Sequence, residues 1–300
     1  MKLFKYFLLI FIVSILSFSC EKEVYIELPE PEESFVVEGW IEQDDYPVVV
    51  LTRNSSYFDK VDSTTLSKLF VTTATVLVSD GETTEQLSLD YSNIFLGIYP
   101  PVQYKGKQLK GEVGKTYELT IYVEGDTITG KTTIPEPVTF ESLWWQPDTA
   151  GTDLLKDSLG YLWATFTDDP NTKNYYRIFS KRIGRDRKFI PLFGSVYPDM
   201  FFDGKTITFS MYRGIETFSD ADAIQSEADA EELFYYKKGD TVIVKLTSID
   251  EAHYLFWRTI EQELFTGGNP FVYPAIIRHN VVGALGVFGG YGATYRTLPE

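Results

Sequence analysis

One cysteine and two histidines in 300 residues remove most of the chemistry by which small side-chain clusters make a site. Cys20 has no second thiol to pair with, so neither a disulfide nor a thiolate metal site can brace the fold. His253 and His279 lack the spacing of zinc ligands and are read as structural, whether buried or at the surface. No nucleophile elbow, phosphate loop or zinc-protease helix motif occurs. No catalytic residue, metal or cofactor is therefore expected, and an ordinary apolar core must supply the stability. Positive charge is scarce as well: 27 Lys and Arg stand against 43 Asp and Glu, a formal charge of −16. A phosphate backbone needs a basic face, so nucleic acid is excluded as a partner.

What is present begins at the amino terminus. Met1 to Ser19 has Lys2 and Lys5 in front, an apolar stretch from Tyr6 to Leu16, and the small residues Ser17 and Ser19 just before Cys20, the layout of a secretory signal. The apolar stretch falls short of the roughly 20 residues that span a bilayer. Residues 1–19 are thus expected to be a cleaved lipoprotein signal and Cys20 the lipid attachment site, the alternative being a plain secretory signal with an incidental cysteine. Removing residues 1–19 leaves a formal charge of about −18. Anionic lipid would repel such a body, so acyl chains on Cys20 would have to hold it to the bilayer. Residues 20–33 then read as a self-repelling acidic tether. Six acids and two prolines fall between Glu21 and Glu33, and extended at roughly 3.1 Å per residue the segment reaches about 40 Å. Its glutamates either signal export to the outer face of the outer membrane or serve as a solvated spacer.

Residues 34–138 consist of short β-rich runs such as Phe35 to Ile41, Val48 to Thr52 and Tyr117 to Val123, separated by turn signals at Asp80-Gly81, Gly114 and Gly125-Asp126. That pattern predicts an immunoglobulin-like or transthyretin-like sandwich, ending at Pro135-Glu-Pro137. Residues 139–300 mix strands with one helical pattern and predict an α+β domain with an antiparallel sheet. Asp203-Gly204 has the form of a hairpin turn. Ser248 to Glu251 reads as a capping box, followed at helical spacing by Ala252, Leu255, Phe256, Ile260 and Leu264, so one amphipathic helix is expected over about 249–265. The glycine-rich stretch from Val281 to Leu298 is expected to return to the sheet as strands with tight bends.

Three other features invite a functional reading. Asp168-Asp169-Pro170-Asn171 offers hard oxygen ligands of the kind calcium takes, without the later bidentate glutamate of a calcium loop; turn chemistry ahead of Pro170 accounts for the same residues. Asp220, Asp222, Glu227, Asp229, Glu231 and Glu232 form an acidic cluster read as a solvated loop or frayed helix. Aromatic pairs recur at Trp144-Trp145, Tyr175-Tyr176, Phe201-Phe202 and Tyr235-Tyr236. Strand neighbours point to opposite faces, so one member of each pair is free to line a ligand or protein surface, the alternative being core rings plus scattered surface ones.

Val36-Val37-Glu38-Gly39-Trp40-Ile41, Gly97-Ile98-Tyr99, Gly111-x-x-Gly114-x-x-Tyr117, Phe166-Thr-Asp168-Asp-Pro170 with Asn174-Tyr-Tyr-Arg177, Ile249-Asp-x-x-x-Tyr254 and Asn280-x-x-Gly283-x-x-Gly286-x-Phe288 together resemble a family of Bacteroidota outer-membrane lipoproteins of unknown function. Members of that family are commonly encoded beside TonB-dependent receptors. The resemblance runs from about residue 24 to the end and carries no catalytic residues. It implies an outer-membrane, lipid-anchored location, with the cell surface expected and the periplasmic face as the alternative. It also implies a TonB-dependent receptor as partner. The expected function is that of a non-enzymatic accessory that captures substrate or caps a transporter. A structural or adhesive envelope protein binding another protein or a glycan is the second reading.

Overall fold

The computed structural model describes residues 33–54, 68–148, 158–215, 233–266, 272–273 and 275–299, all within a unit running Glu33–Glu300. Cys20, the signal, all but the last residue of the tether and the acidic cluster at 220–232 lie outside the described residues.

The fold is mainly β. Its strands are β1 (Phe35–Glu42), β2 (Val48–Arg53), β3 (Thr75–Ser79), β4 (Thr84–Gln86), β5 (Ser88–Asp90), β6 (Gln103–Lys105), β7 (Thr116–Val123), β8 (Asp126–Thr133) and β9 (Ser142–Pro147). They continue with β10 (Leu159–Thr167), β11 (Tyr175–Arg182), β12 (Ile190–Pro198), β13 (Thr206–Met211), β14 (Tyr236–Lys237), β15 (Val242–Ile249), β16 (Val281–Val282) and β17 (Leu285–Leu298). Two α-helices occur among the described residues, α1 (Ser92–Leu96) and α2 (Glu251–Thr266).

Three sheets form. The largest has eight strands in the order β12-β11-β15-β17-β1-β2-β6-β5; a second, five-stranded, runs β16-β8-β7-β3-β4; a third joins β13, β10, β14 and β9. Pairing is antiparallel except where β17 lies parallel to β1, Val36 opposite Leu285 and Glu42 opposite Tyr291. The 34–138 and 139–300 segments therefore share one sheet, with the last strand of the chain seated beside the first.

Alternation decides which side chains fill the cores. In β7 every second residue is buried, and Tyr117, Leu119 and Ile121 meet Val37, Ile41 and Phe288 in the space between the eight- and five-stranded sheets. In β10, Leu162, Ala164 and Phe166 point inward against Tyr176, Ile178 and Leu246 and make a second core. Each such Leu, Ile or Phe contributes about 1.5–3 kcal/mol by leaving water.

β17 runs unbroken for 14 residues, and its glycines serve close approach on both faces instead of the expected tight bends. A Cβ on Gly292 would stand 2.0 Å from the Pro135 carbonyl oxygen, where the chain linking the two cores crosses the strand. A Cβ on Gly289 would stand 2.1 Å from the ring of His253 on α2.

Two local expectations need correction. Asp203-Gly204 does form a turn, with Gly204 at φ 66°, but it leads from β12 into β13, which belong to different sheets, so it closes no hairpin. Helix α2 is capped by Asp250, whose carboxylate accepts from the His253 amide at 2.8 Å; Ser248 lies inside β15 because the strand runs on to Ile249. The helix also buries a different stripe. His253 and Phe256 are buried, Trp257 and Tyr254 pack on the third cluster beneath the helix, and Leu255 and Leu264 face solvent.

Candidate functional site

Because β1 sends Val37 and Ile41 into the first core, Glu38, Trp40 and Glu42 come out on the other face of the eight-stranded sheet. The same alternation brings Tyr291 and Tyr295 of β17, Lys245 of β15 and Arg177 of β11 to that face, in register with one another. Helix α2 covers part of it. The remainder is overhung by the 91–100 segment and the loop between β11 and β12, which are tied together: the Arg187 guanidinium donates to the Gly97 carbonyl and the Lys188 ammonium to that of Tyr99.

The charges on this face are rigidly held. Arg177 is buried, with its guanidinium 3.5 Å from the Trp257 ring centre and 4.8 Å from that of Phe179. It donates to the hydroxyls of Tyr291 (2.9 Å) and Ser195 (3.3 Å), and Ser195 in turn donates to Glu261 at 2.5 Å. Lys245 meets Glu42 at 2.7 Å with their side chains 10% and 11% exposed, and Tyr295 donates to the second oxygen of that carboxylate. The rings of Phe179, Tyr291 and Phe189 surround the ammonium at 4.7, 5.1 and 5.6 Å.

Glu38 differs from these. It is exposed to water, yet protein surrounds its carboxyl closely enough that desolvation raises its pKa above the ordinary carboxylate value, against the opposing charges of Arg177 and Lys188. The Glu38 charge interacts with Lys188 and with Tyr99, so the β11–β12 loop and the 91–100 segment stand beside it, and these residues together make the candidate recess. Tyr99 belongs to its wall: burial raises the hydroxyl pKa, the Glu38 charge adds to the effect, and the ring sits 5.9 Å from that of Phe70. An acid, the Lys188 cation and the Tyr99 ring thus come together, with the buried Arg177 charge behind them, a mixture that orients a small polar ligand.

Other residues singled out from the sequence have structural surroundings. His253 is buried against Gly289 and Tyr291, and burial together with the Arg177 charge lowers its pKa well below the usual histidine value, so the ring is neutral at physiological pH. His279 Nδ1 accepts from the Gly286 amide at 3.0 Å.

Asp168 is brought together with two acids that sequence spacing could not connect to it, Asp199 and Asp203, their carboxylate oxygens lying within 4.8 Å of one another. The oxygens of Asp168 already accept from Tyr176, Asn174 and the Gly204 amide, and Asp199 accepts from the Asn174 amide. Asp169 accepts from Asn171 in a local turn. Asp168, Asp169 and Asp199 are thus engaged in hydrogen bonds that hold the turns around them, and Asp203 is exposed.

Three of the aromatic pairs divide between core and outside, Trp144-Trp145 by strand alternation within β9, Tyr235-Tyr236 at the start of β14, and Phe201-Phe202 at the end of a single 3-10 turn, where strand alternation does not apply. Trp145 donates to the Tyr236 carbonyl at the second core while Trp144 stacks on Trp163 outside; Tyr236 is fully buried while Tyr235 meets Tyr161; Phe201 is exposed while Phe202 packs inward. Tyr175 and Tyr176 are both buried, since β11 has a core on each face.

Sequence reasoning passed over Glu38, Arg177 and Lys245 as site residues. A charged residue alternating with apolar ones has the same pattern on a solvent face as in a recess. The available signal was Arg177 and Lys245 inside strands otherwise dense with buried residues.

Three mostly antiparallel sheets, with the candidate site on the largest of them, define a mainly β protein whose site draws residues from both ends of the chain. Residues 21–297 match the family described as a domain of unknown function, DUF4249, and the chain belongs to that family. No curated protein matches it. Among the described residues no helix is long and apolar enough to cross a membrane.

Proposed function

We propose that this protein is a lipid-anchored outer-membrane accessory of a TonB-dependent transporter, which captures a small polar ligand in the Glu38 recess and presents it to the receptor. The observation that carries the reading is the placement of Glu38, an exposed carboxylate on the largest sheet with the tied 91–100 segment and β11–β12 loop beside it. The cations Arg177 and Lys188 beside it, and the tied loops above, suit a ligand bearing groups of both polarities. Acyl chains on Cys20 and the acidic tether support the location, and a tether raises the effective concentration of a partner in the same membrane.

The test is native mass spectrometry of full-length protein extracted from its own membranes. Wild type is expected to carry a small molecule that Glu38→Gln lacks. Identical spectra for the two, with no bound species in either, refute capture at this recess.

A further inference from the structure

A second surface lies on the opposite side of the second core from the recess. While Leu162, Ala164 and Phe166 of β10 point into that core, Tyr161, Trp163, Thr165 and Thr167 point out, and register places their neighbours beside them. Trp163 lies between Trp144 of β9 and Ser210 of β13, and Thr165 between Ser142 and Thr208. The two tryptophans stack with centroids 6.2 Å apart and planes 19° from parallel. Tyr161 continues the aromatic row, 4.8 Å from Tyr212 and 5.0 Å from Tyr235.

Polar groups run alongside the rings. The hydroxyls of Tyr161 and Tyr235 converge on Asp148 Oδ2 at 3.1 and 3.0 Å. Thr165 bonds Thr208 at 2.9 Å, and Thr167 bonds Thr206 at 2.6 Å and donates to Glu141 at 2.5 Å. The outward positions of β9, β10 and β13 include neither lysine nor arginine.

We propose that this outer face of the β9, β10 and β13 strands binds a neutral polysaccharide. A pyranose ring has one surface of C–H bonds, which packs on the electron-rich face of an aromatic ring, and a rim of hydroxyls that needs donors and acceptors at a fixed distance from it. Rows of rings flanked by rows of hydroxyls and two carboxylates supply both along three adjacent strands. Lys237 of β14 is the single lysine at the described outward positions of this sheet, too little positive charge for the alternatives that also use aromatic rows: single-stranded nucleic acid needs basic groups along its phosphates, and an anionic membrane or a sulfated glycan needs them equally. Binding here is independent of the Glu38 recess, from which the second core separates it.

The experiment is native affinity electrophoresis of the detergent-extracted full chain in gels cast with laminarin, dextran, xylan or galactomannan. At least one of the four is expected to retard the wild type. Trp163→Ala should weaken that retardation about tenfold or more, whereas Trp163→Phe retains most of it and Glu38→Gln leaves it unchanged. If Trp163→Ala fails to fold, Trp144→Ala on the neighbouring strand takes its place and should weaken binding likewise. Retardation by none of the four polysaccharides overturns the proposal. So does retardation that survives the alanine variants, or capture of a protein on this face by crosslinking from Trp144 with no glycan bound. Because Glu38→Gln serves as the unaffected control, failure here and failure of the recess reading remain distinguishable.

Discussion

Lys245→Met isolates what the buried ion pair does for the recess wall. Lys245 and Glu42 lie in contact at 2.7 Å with nearly all of both side chains withdrawn from water. Methionine fills the volume among Phe179, Phe189 and Tyr291 and keeps favourable contact with their rings, so packing loss is small and charge is the variable. The variant leaves the Glu42 carboxylate buried with only the Tyr295 hydroxyl on its second oxygen. Stranding one partner of a buried pair costs about 3–5 kcal/mol. At about 2–4 °C per kcal/mol for a body of this size, melting should fall by about 6–20 °C. Replacing both residues, Glu42→Met with Lys245→Met, removes the uncompensated charge and should recover most of the loss, since an apolar pair of similar volume is often neutral. Urea titrations of the three proteins give the comparison. A single variant that loses less than about 1 kcal/mol, or a double variant no better than the single one, refutes the claim that the pair is desolvated and mutually dependent.

Glu38→Gln should make the protein more stable at neutral pH. The folded-state pKa of Glu38 is raised, so its contribution to stability is present below the unfolded-state value and lost as pH rises through the folded one. The advantage of the glutamine variant should therefore be smallest in acid and grow toward neutrality, and melting curves that keep a constant separation across that range contradict the desolvation argument. Asp168→Asn should cost about 1–3 kcal/mol by leaving a buried donor without its acceptor, and excess calcium should not shift the wild-type melt, because the Asp168 oxygens are already hydrogen-bonded; a rise in melting temperature with calcium and its loss in Asp168→Asn point instead to ligation. Cys20→Ala should leave the protein unprocessed or release it from membranes, and retention of the variant in the outer-membrane fraction after salt and carbonate washing rules out acylation as the anchor.

The legible parts of the fold were those where one face is buried and the other wet. β1, β7, β10 and β11 announce themselves through alternation or dense apolar runs, and α2 through the helical spacing of its apolar residues, although its cap is Asp250 rather than Ser248. β12 did not, because Pro191, Gly194 and Pro198 break its pattern; an edge strand tolerates them, and the register shift between Arg177 and Phe179 accommodates its irregular course. β9 was hidden by its paired tryptophans, which suit a strand only once β10 supplies the partner face. The parallel pairing of β17 with β1 joins residues some 250 apart and has no local signal at all. That pairing is also what assembles the recess. Glu38 stood in a motif quoted for its family resemblance, but its surroundings depended on Lys188, Tyr99 and Arg177 arriving from three other segments. Strand alternation did indicate that one member of an aromatic pair would be free of the core, and Trp144 and Tyr235 are where that holds.

The most direct test of the central claim is crosslinking in living cells from a photoreactive residue placed at Lys188, on the rim of the recess, followed by mass spectrometry of the captured species. The account expects a TonB-dependent receptor barrel to be captured by the membrane-anchored protein, and capture to fall when Cys20→Ala removes the anchor. Recovery of the uncrosslinked chain alone, or of partners unchanged by loss of the anchor and lacking any receptor, contradicts it.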